Sequence, residues 1–554
     1  MLTASAKTSQ LLSWAAILLI LVLAFGLRYA GMNWGLPQGE HFVATYRPDE
    51  YSLFAWLKQM NPAKGDFNPH IYFNGTFLLF GLAVYYKILS WLGLVKIVAL
   101  PAFYYEHVSE WAKLFWFGRL AMVVIGTLTV VCIYQAGRIA FGKKTGLIAA
   151  LLYAVVPLHV VSSKHLLVEP AATLWIAMIL FFCFKIIREE TWKNYLWAAV
   201  LLGSACAVKI TCAPLGILVL AAHFLGRVKR WDVKTISREI GSQKLWGSVG
   251  LAFVSYFVFN PYLLFNLKEA RAEIQTWSGQ YQNAWSYLGY GPVFSLTHLL
   301  PYGLGPLFFM TGLTSSVFAC FSKRREVWLL LIGLTLHFYL NARTGTVIVK
   351  YHVFLLPFLT LMNAFFLKAL ISASPRWLRG LSLGFLTWMI IETLSLSLSY
   401  NNHFLKPDAR DQASNWIKEH VPQGVKVAVL REPYDHSPPV LYNQYFFTGR
   451  SRYWHVEPLY KIVNLELEVS ELKKQSPDYL VLSARENRLF RRHRQDYAQE
   501  DHWDKLESLL RSEGYQKVMG FENPLPKRNL IFAPDFLPDD WQQLFPEIRI
   551  YQRS

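Results

Sequence analysis

Residues 11–51 read LLSWAAILLILVLAFGLRYAGMNWGLPQGEHFVATYRPDEY. Leu11 to Ala30 is an almost unbroken apolar run, and about 20 such residues cross the hydrocarbon core of a bilayer. The run is too long for a signal-peptide core and no small-residue cleavage site follows it, so it reads as a retained spanning helix. Just beyond the boundary stands Tyr46-Arg47-Pro48-Asp49-Glu50-Tyr51, a charged loop carrying two adjacent carboxylates.

The pattern repeats outward from there. Phe115–Gln135, Thr145–Val160, Ala171–Ile187, Tyr195–Leu225, Leu245–Phe265, His298–Phe321, Trp328–Leu340, Val353–Ile371 and Leu378–Leu398 are further candidate spans. The stretch 195–225 is long enough for two crossings and reads as a hairpin with its tip near Lys209-Ile210-Thr211. Tyr72–Leu94 is apolar but interrupted, and reads as a helix lying on the membrane surface. The fold class is therefore a polytopic α-helical membrane protein of about eleven spans. Basic loops at 137–144, 226–244, 321–326 and 374–379 then share one side, which the positive-inside rule makes cytoplasmic together with the N-terminus. Loops at about 31–114, 161–170, 266–297 and 341–351 fall on the other side. That orientation suits a bacterial inner (plasma) membrane.

Composition agrees. Of 554 residues 53% are hydrophobic and 17% charged, too few polar groups to clothe several soluble domains. The net charge of +18 fits cytoplasmic loops, anionic membrane lipids or an anionic substrate; no nucleic-acid motif accompanies it. Cys132, Cys183, Cys206, Cys212 and Cys320 sit in apolar runs without metal-ligand spacing. From Asn401 the composition changes. Asp411–His420 and Asp496–Arg511 read as amphipathic helices, and Val425–Leu430 and Tyr479–Ser483 as buried strands. The chain thus divides into a membrane domain, 1–400, whose first outer loop (31–114) holds interfacial helices, and an extracytoplasmic α/β domain, 401–554.

Chemistry concentrates on the outer face. Adjacent carboxylates such as Asp49 and Glu50 repel and lose solvation near a bilayer, which raises base strength; alternatively one caps the following helix. Lys164-His165-Leu166-Leu167-Val168-Glu169-Pro170 brings a second acid to the same face, where Glu169 and Pro170 also suit a helix start. Lys209, Arg343, Lys350 and His352 lie there too. Such groups suit a phosphate, or else contact lipid headgroups. Asn74-Gly75-Thr76 is a weak glycosylation match. P-loop, HExxH and G-x-S-x-G patterns are missing.

In these residues the chain resembles the GT-C glycosyltransferases of the protein O-mannosyltransferase type, with their bacterial relatives and the lipid A aminoarabinose transferases. The resemblance rests on Arg47-Pro48-Asp49-Glu50, Gly65-Asp66-Phe67-Asn68-Pro69-His70, Gly118-Arg119-Leu120, the run 138–150, Pro157-Leu158-His159, Val168-Glu169-Pro170, Ala207-Val208-Lys209 and Lys350-Tyr351-His352. It covers most of residues 10–370. It implies a polyprenyl-phosphate-linked sugar as donor and a lipid, glycan or protein as acceptor. Transfer would invert the anomeric carbon outside the cytoplasm, with Asp49 as catalytic base and Glu50 and Glu169 assisting. Lys209, Arg343, Lys350 and Tyr351 would hold the donor phosphate, with Arg47, His70 and His165 in the active-site loops. The second-loop acid is more often Asp in these families, and the Lys350-Tyr351 pair is usually Arg-Tyr. No cofactor is implied and no obligatory metal, although the lipid A branch can carry zinc near these acids. A transporter or lipid-linked-saccharide flippase, using the same acids for ion coupling, is the alternative.

Overall fold

The computed structural model describes residues 4–554 except 40, 44, 73, 230–231, 284–290, 344–347, 373–374, 451–458, 488–502 and 525–538. The side chains of 4–10, 277–283, 343, 446–450, 539 and 542 also lie outside the description.

Among the described residues, six helical segments are long and apolar enough to cross a membrane: Leu11–Tyr29, Val108–Phe141, Val168–Arg188, Ile210–Arg227, Val349–Ser372 and Arg376–His403. Shorter apolar helices, among them Phe77–Trp91 and Pro306–Cys320, stand beside them. The protein is an integral membrane protein. Large apolar side chains such as Leu18, Leu19, Phe253, Val258, Trp388 and Ile391 remain more than half exposed. On a soluble surface they would be a liability; against acyl chains they cost nothing.

Two of the expected spans are broken. The run 145–160 divides into Lys143–Val155 and Pro157–Ser162, because Pro157 has no N–H to continue the ladder and Val156 is extended. The run 298–321 divides into Leu300–Leu304 and Pro306–Cys320 at Gly305, whose φ is +85°. Each break frees helix-end carbonyls that must find donors in a low-dielectric setting. At the first, buried Arg28 donates to the oxygens of Ala154 (2.9 Å) and Tyr153 (3.2 Å), and Ser397 Oγ donates to that of Val155 (2.6 Å). Lys164 in turn donates to the Leu27, Arg28 and Ala30 carbonyls at the end of the first helix. These two buried cations are thus helix caps.

Val108–Phe141 turns at Gly142 directly into Lys143–Val155. The two approach so closely that a Cβ on Gly146 would lie 2.7 Å from the Tyr134 carbonyl oxygen. The stretch 195–225 forms two helices, Trp192–Val208 and Leu215–Arg227, with an extended Lys209 between them.

Three of the basic loops, 137–144, 226–244 and 321–326, gather at one end of the bundle. Arg188 pairs with Glu326 (3.5 Å) and donates to the Ala140 carbonyl; Lys244 and Arg227 pair with Glu190; Arg325 donates to the Gly226 carbonyl. Helix Val168–Arg188 carries Glu169 at its start and Arg188 at its end. At 1.5 Å per residue these ends stand about 30 Å apart, one hydrocarbon thickness.

Beyond the helix Arg376–His403 stands a five-stranded sheet of order β2-β1-β3-β5-β4, formed by β1 Lys426–Val429, β2 Lys461–Asn464, β3 Tyr479–Ser483, β4 Tyr515–Glu522 and β5 Glu547–Arg553. β1 is parallel to β2 and β3; β5 is antiparallel to β3 and β4. Side chains alternate between two cores. Val427, Val429, Val481 and Ile550 face Ala413 and Ile417 of helix Ala409–His420. Ala428, Leu480 and Leu482 face Leu506 and Leu510 of helix Asp504–Ser512. Residues 496–502 of the helix expected over 496–511 lie outside the described residues.

Candidate active site

Asp49 is the second residue of helix Pro48–Gln59, where a proline at the first position and an acid in the first turn are both favourable. Glu169 holds the equivalent place in Val168–Arg188. Lys209 sits at the helix break, and Lys350 and Tyr351 in the 3-10 turn Val349–Leu355 that leads into helix Leu356–Ser372. Four segments far apart in sequence thus deliver polar side chains to one place.

They meet as two ion pairs around one ring. Lys350 Nζ donates to Asp49 Oδ2, and Lys209 Nζ donates to Glu169 Oε1 at 2.7 Å. The Tyr351 ring lies 4.9 Å from the Lys209 ammonium and 5.7 Å from that of Lys350, within cation–π range of both. Lys350 is also within electrostatic reach of Glu169. Lys209 and Lys350 are nearly buried, whereas Asp49 keeps 51% of its side-chain surface accessible. Surrounding protein works to raise the Asp49 pKa, but Lys350 and Arg47 outweigh it and hold the carboxyl at about 2. Gly75 lets the segment between the first two long helices reach this end of the bundle, since a Cβ there would overlap the Ala207 carbonyl, two residues before Lys209. Thr76, the third residue of the glycosylation match, is buried and donates to the Phe259 carbonyl (2.7 Å).

Glu50 corrects the expectation of two repelling carboxylates. Consecutive helical side chains diverge by about 100°, and Glu50 points into the protein with no accessible surface. It accepts two hydrogen bonds from Arg119 (2.8 and 2.7 Å) and one from the Leu166 amide (2.7 Å). Arg119 also donates to the Met32 and Trp34 carbonyls at 2.6 Å. This pair ties helix Pro48–Gln59, helix Val108–Phe141 and the 163–167 loop together. Buried His165 stands 3.9 Å from Glu50, beyond hydrogen-bond range. Burial, with Arg119 and Arg47 nearby, keeps its pKa well below the usual value.

Arg47 turns to the C-terminal part of the chain, donating to the Asp540 main-chain oxygen (2.7 Å) and to Gln543 Oε1 (3.3 Å). The Asp540 carboxylate accepts from the amides of Val349 and Lys350, both at 3.0 Å. Asp540 was not among the expected residues, and nothing local in Pro538-Asp539-Asp540-Trp541 marks it. His70 belongs elsewhere: it pairs with Glu269 (3.3 Å) of helix Leu267–Asn283. Among the described residues no hydrogen bond or ion pair joins it to Asp49, Glu169, Lys209 or Lys350. Arg343 ends helix Arg325–Arg343, and its side chain lies outside the described residues. No three His, Cys, Asp or Glu side chains converge as a metal-ligand set among the described residues.

The sequence profile of the dolichyl-phosphate-mannose-protein mannosyltransferases matches residues 107–259. No curated protein matches the sequence. Among solved structures, the oligosaccharyltransferase AglB of Archaeoglobus fulgidus, in complex with an inhibitory peptide and a dolichol-phosphate, superposes with a TM-score of 0.50 at 12% identity. That superposition covers 97% of this chain and 77% of AglB. ArnT from Cupriavidus metallidurans, bound to undecaprenyl phosphate, gives a TM-score of 0.50 at 13% identity over 96% of this chain and 97% of ArnT. The chain has a GT-C-type membrane fold with a small C-terminal sheet.

Proposed function

We propose that this protein is a glycosyltransferase that moves a sugar from a polyprenyl-phosphate donor to an acceptor at the end of the bundle that bears Asp49. The observation that carries the reading is the paired arrangement Asp49–Lys350 and Glu169–Lys209 around Tyr351. AglB and ArnT, which share the fold, were solved with dolichol-phosphate and undecaprenyl phosphate.

The resting pairs explain how one site can hold both a base and a phosphate. A donor phosphate competes with Asp49 for Lys350 and with Glu169 for Lys209. Losing Lys350 raises the proton affinity of Asp49 just as the sugar arrives. The acceptor O–H or N–H then gives its proton to an Asp49 oxygen while its lone pair attacks the anomeric carbon from the face opposite the phosphate. The carbon–oxygen bond to phosphate breaks, the configuration inverts, and the electron pair leaves with the polyprenyl phosphate. Lys350 and Lys209 meet that charge where it grows. Glu169 holds Lys209 in place between turnovers. The reading is tested by incubating purified protein with a panel of polyprenyl-phosphate sugars and following polyprenyl-phosphate release. Release that depends on both donor and acceptor is expected; no release from any donor would refute the reading.

Lys350→Ala is expected to raise donor half-saturation about 10–100-fold, the usual worth of one charge-assisted contact, with little change for acceptor. Lys350→Arg should keep part of the activity. The pH profile supplies a second readout. Activity needs ionised Asp49 and fails as pH falls through its pKa, which Lys350 depresses. Lys350→Ala therefore moves the acid limb of kcat/KM for donor, which reports the free enzyme, to higher pH. An unmoved limb and unchanged donor dependence would sink the phosphate role.

By the positive-inside rule the basic-loop end faces the cytoplasm. In a Cys320→Ser background, a cysteine introduced at Lys64 should label from outside intact cells and one at Lys144 should not. Labelling of both would overturn this orientation.

A further inference from the structure

We infer that Asp540 is a positioning residue, through which the C-terminal part of the chain sets the main-chain geometry that presents Lys350. The inference rests on the donor-phosphate role proposed for Lys350.

Val349 and Lys350 open the 3-10 turn that runs into helix Leu356–Ser372. Leading amides of a helix have no partner within it, and two consecutive ones form a seat for an anion. Asp540 fills that seat with one oxygen on each amide, although it lies nearly 200 residues further along the chain. Its main-chain oxygen meanwhile accepts from Arg47, two residues before Asp49. One residue therefore fixes the supports of both members of the Asp49–Lys350 pair.

Asp540 does not hold itself in place. Trp541 is buried against the rings of Tyr400 (5.1 Å) and Tyr302 (6.3 Å). His403 Nε2 meets the Leu544 carbonyl at 2.5 Å, and its ring packs 4.4 Å from that of Phe545. Trp541, Leu544 and Phe545 thus dock the segment on the membrane part, and the Asp540 carboxylate meets the turn. Without it two buried amides lose their acceptor, and relaxation of the turn carries the Lys350 ammonium out of register. Displacements of about 1 Å are enough to cost a large factor in a charge-assisted site.

The test uses the full-length protein in detergent, with undecaprenyl phosphate as the probe titrated by intrinsic tryptophan fluorescence. Thermal melting is measured alongside. Asp540→Ala is expected to bind the probe at least about ten-fold more weakly than wild type. Asp540→Asn, which keeps one acceptor oxygen, should fall between. Both should lose less melting temperature than Trp541→Ala, which undocks the whole segment, because each removes at most two hydrogen bonds. Equal affinity in wild type and Asp540→Ala overturns the inference and leaves the proposed function standing. Weakened binding with a melting loss as large as that of Trp541→Ala, or failure of both Asp540 variants to fold, also overturns it, because Asp540 is then a support of the fold. A wild-type protein that does not bind the probe removes the proposed function and this inference together.

Discussion

Asp49→Asn is expected to lower sugar transfer about 10²–10⁴-fold, the usual contribution of a positioned general base. It should also tighten donor binding. The amide is nearly the same size as the carboxylate, so the start of helix Pro48–Gln59 has no reason to move. What changes is charge: the acceptor proton has nowhere to go, while Lys350 loses the anion that competes with phosphate. Lower turnover with a lower donor half-saturation is a signature that general damage to the site does not produce, since damage weakens both. Steady-state kinetics of the purified variant, with donor and acceptor titrated separately, supply the check. Normal turnover would falsify the mechanism, and looser donor binding would remove the competition between Asp49 and phosphate.

The neighbouring residue should behave in the opposite way. Arg119→Ala leaves Glu50 charged, without solvent and without its bidentate partner. Breaking such a buried pair from one side costs about 3–5 kcal/mol. The Met32 and Trp34 carbonyls lose their donor at the same time. The variant is expected to yield little folded protein, or protein that melts well below wild type. Glu50→Gln should be milder, since an amide oxygen can still accept from Arg119 and from the Leu166 amide. Thermal melting in detergent of the three proteins decides the matter; an unshifted melt for Arg119→Ala would show that the pair contributes nothing to the fold. Two adjacent acids, Asp49 and Glu50, are thus separated by which observable responds, rate or stability.

That separation was not legible in the sequence. Asp49, Glu169, Lys209 and Lys350 could each be picked out, because each stands at a helix start, a break or a turn beside an apolar run. Which acid meets which base depends on packing between segments up to 301 residues apart, and no local pattern encodes it. Asp49 and Glu50 look alike as letters; the helix turn sends one to the site and the other to Arg119. Pro157 and Gly305 stand in plain view, yet both runs around them remain apolar, and hydropathy measures length rather than backbone continuity. In β5 the alternation of Ile548 and Ile550 with Glu547 and Arg549 is a readable strand signal. β1 and β3 were legible as short apolar runs. Asp540 carries no signal at all, since its importance comes wholly from the turn that it meets.

The placement of β5 bears on how the molecule is made. Its residues come last among the five strands, yet it lies between β3 and β4 rather than at an edge. A ribosome delivers the chain from the N-terminus, and domains condense as units once their residues emerge. The sheet therefore stays open along β3 until residues 547–553 have appeared. The segment 539–545, with Asp540 and its grip on the turn of Lys350, emerges only just before. A nascent chain whose earlier helices are already in the bilayer still lacks the contacts of Asp540 with the Val349 and Lys350 amides, so translation that stalls before residue 539 leaves the turn of Lys350 without its carboxylate acceptor.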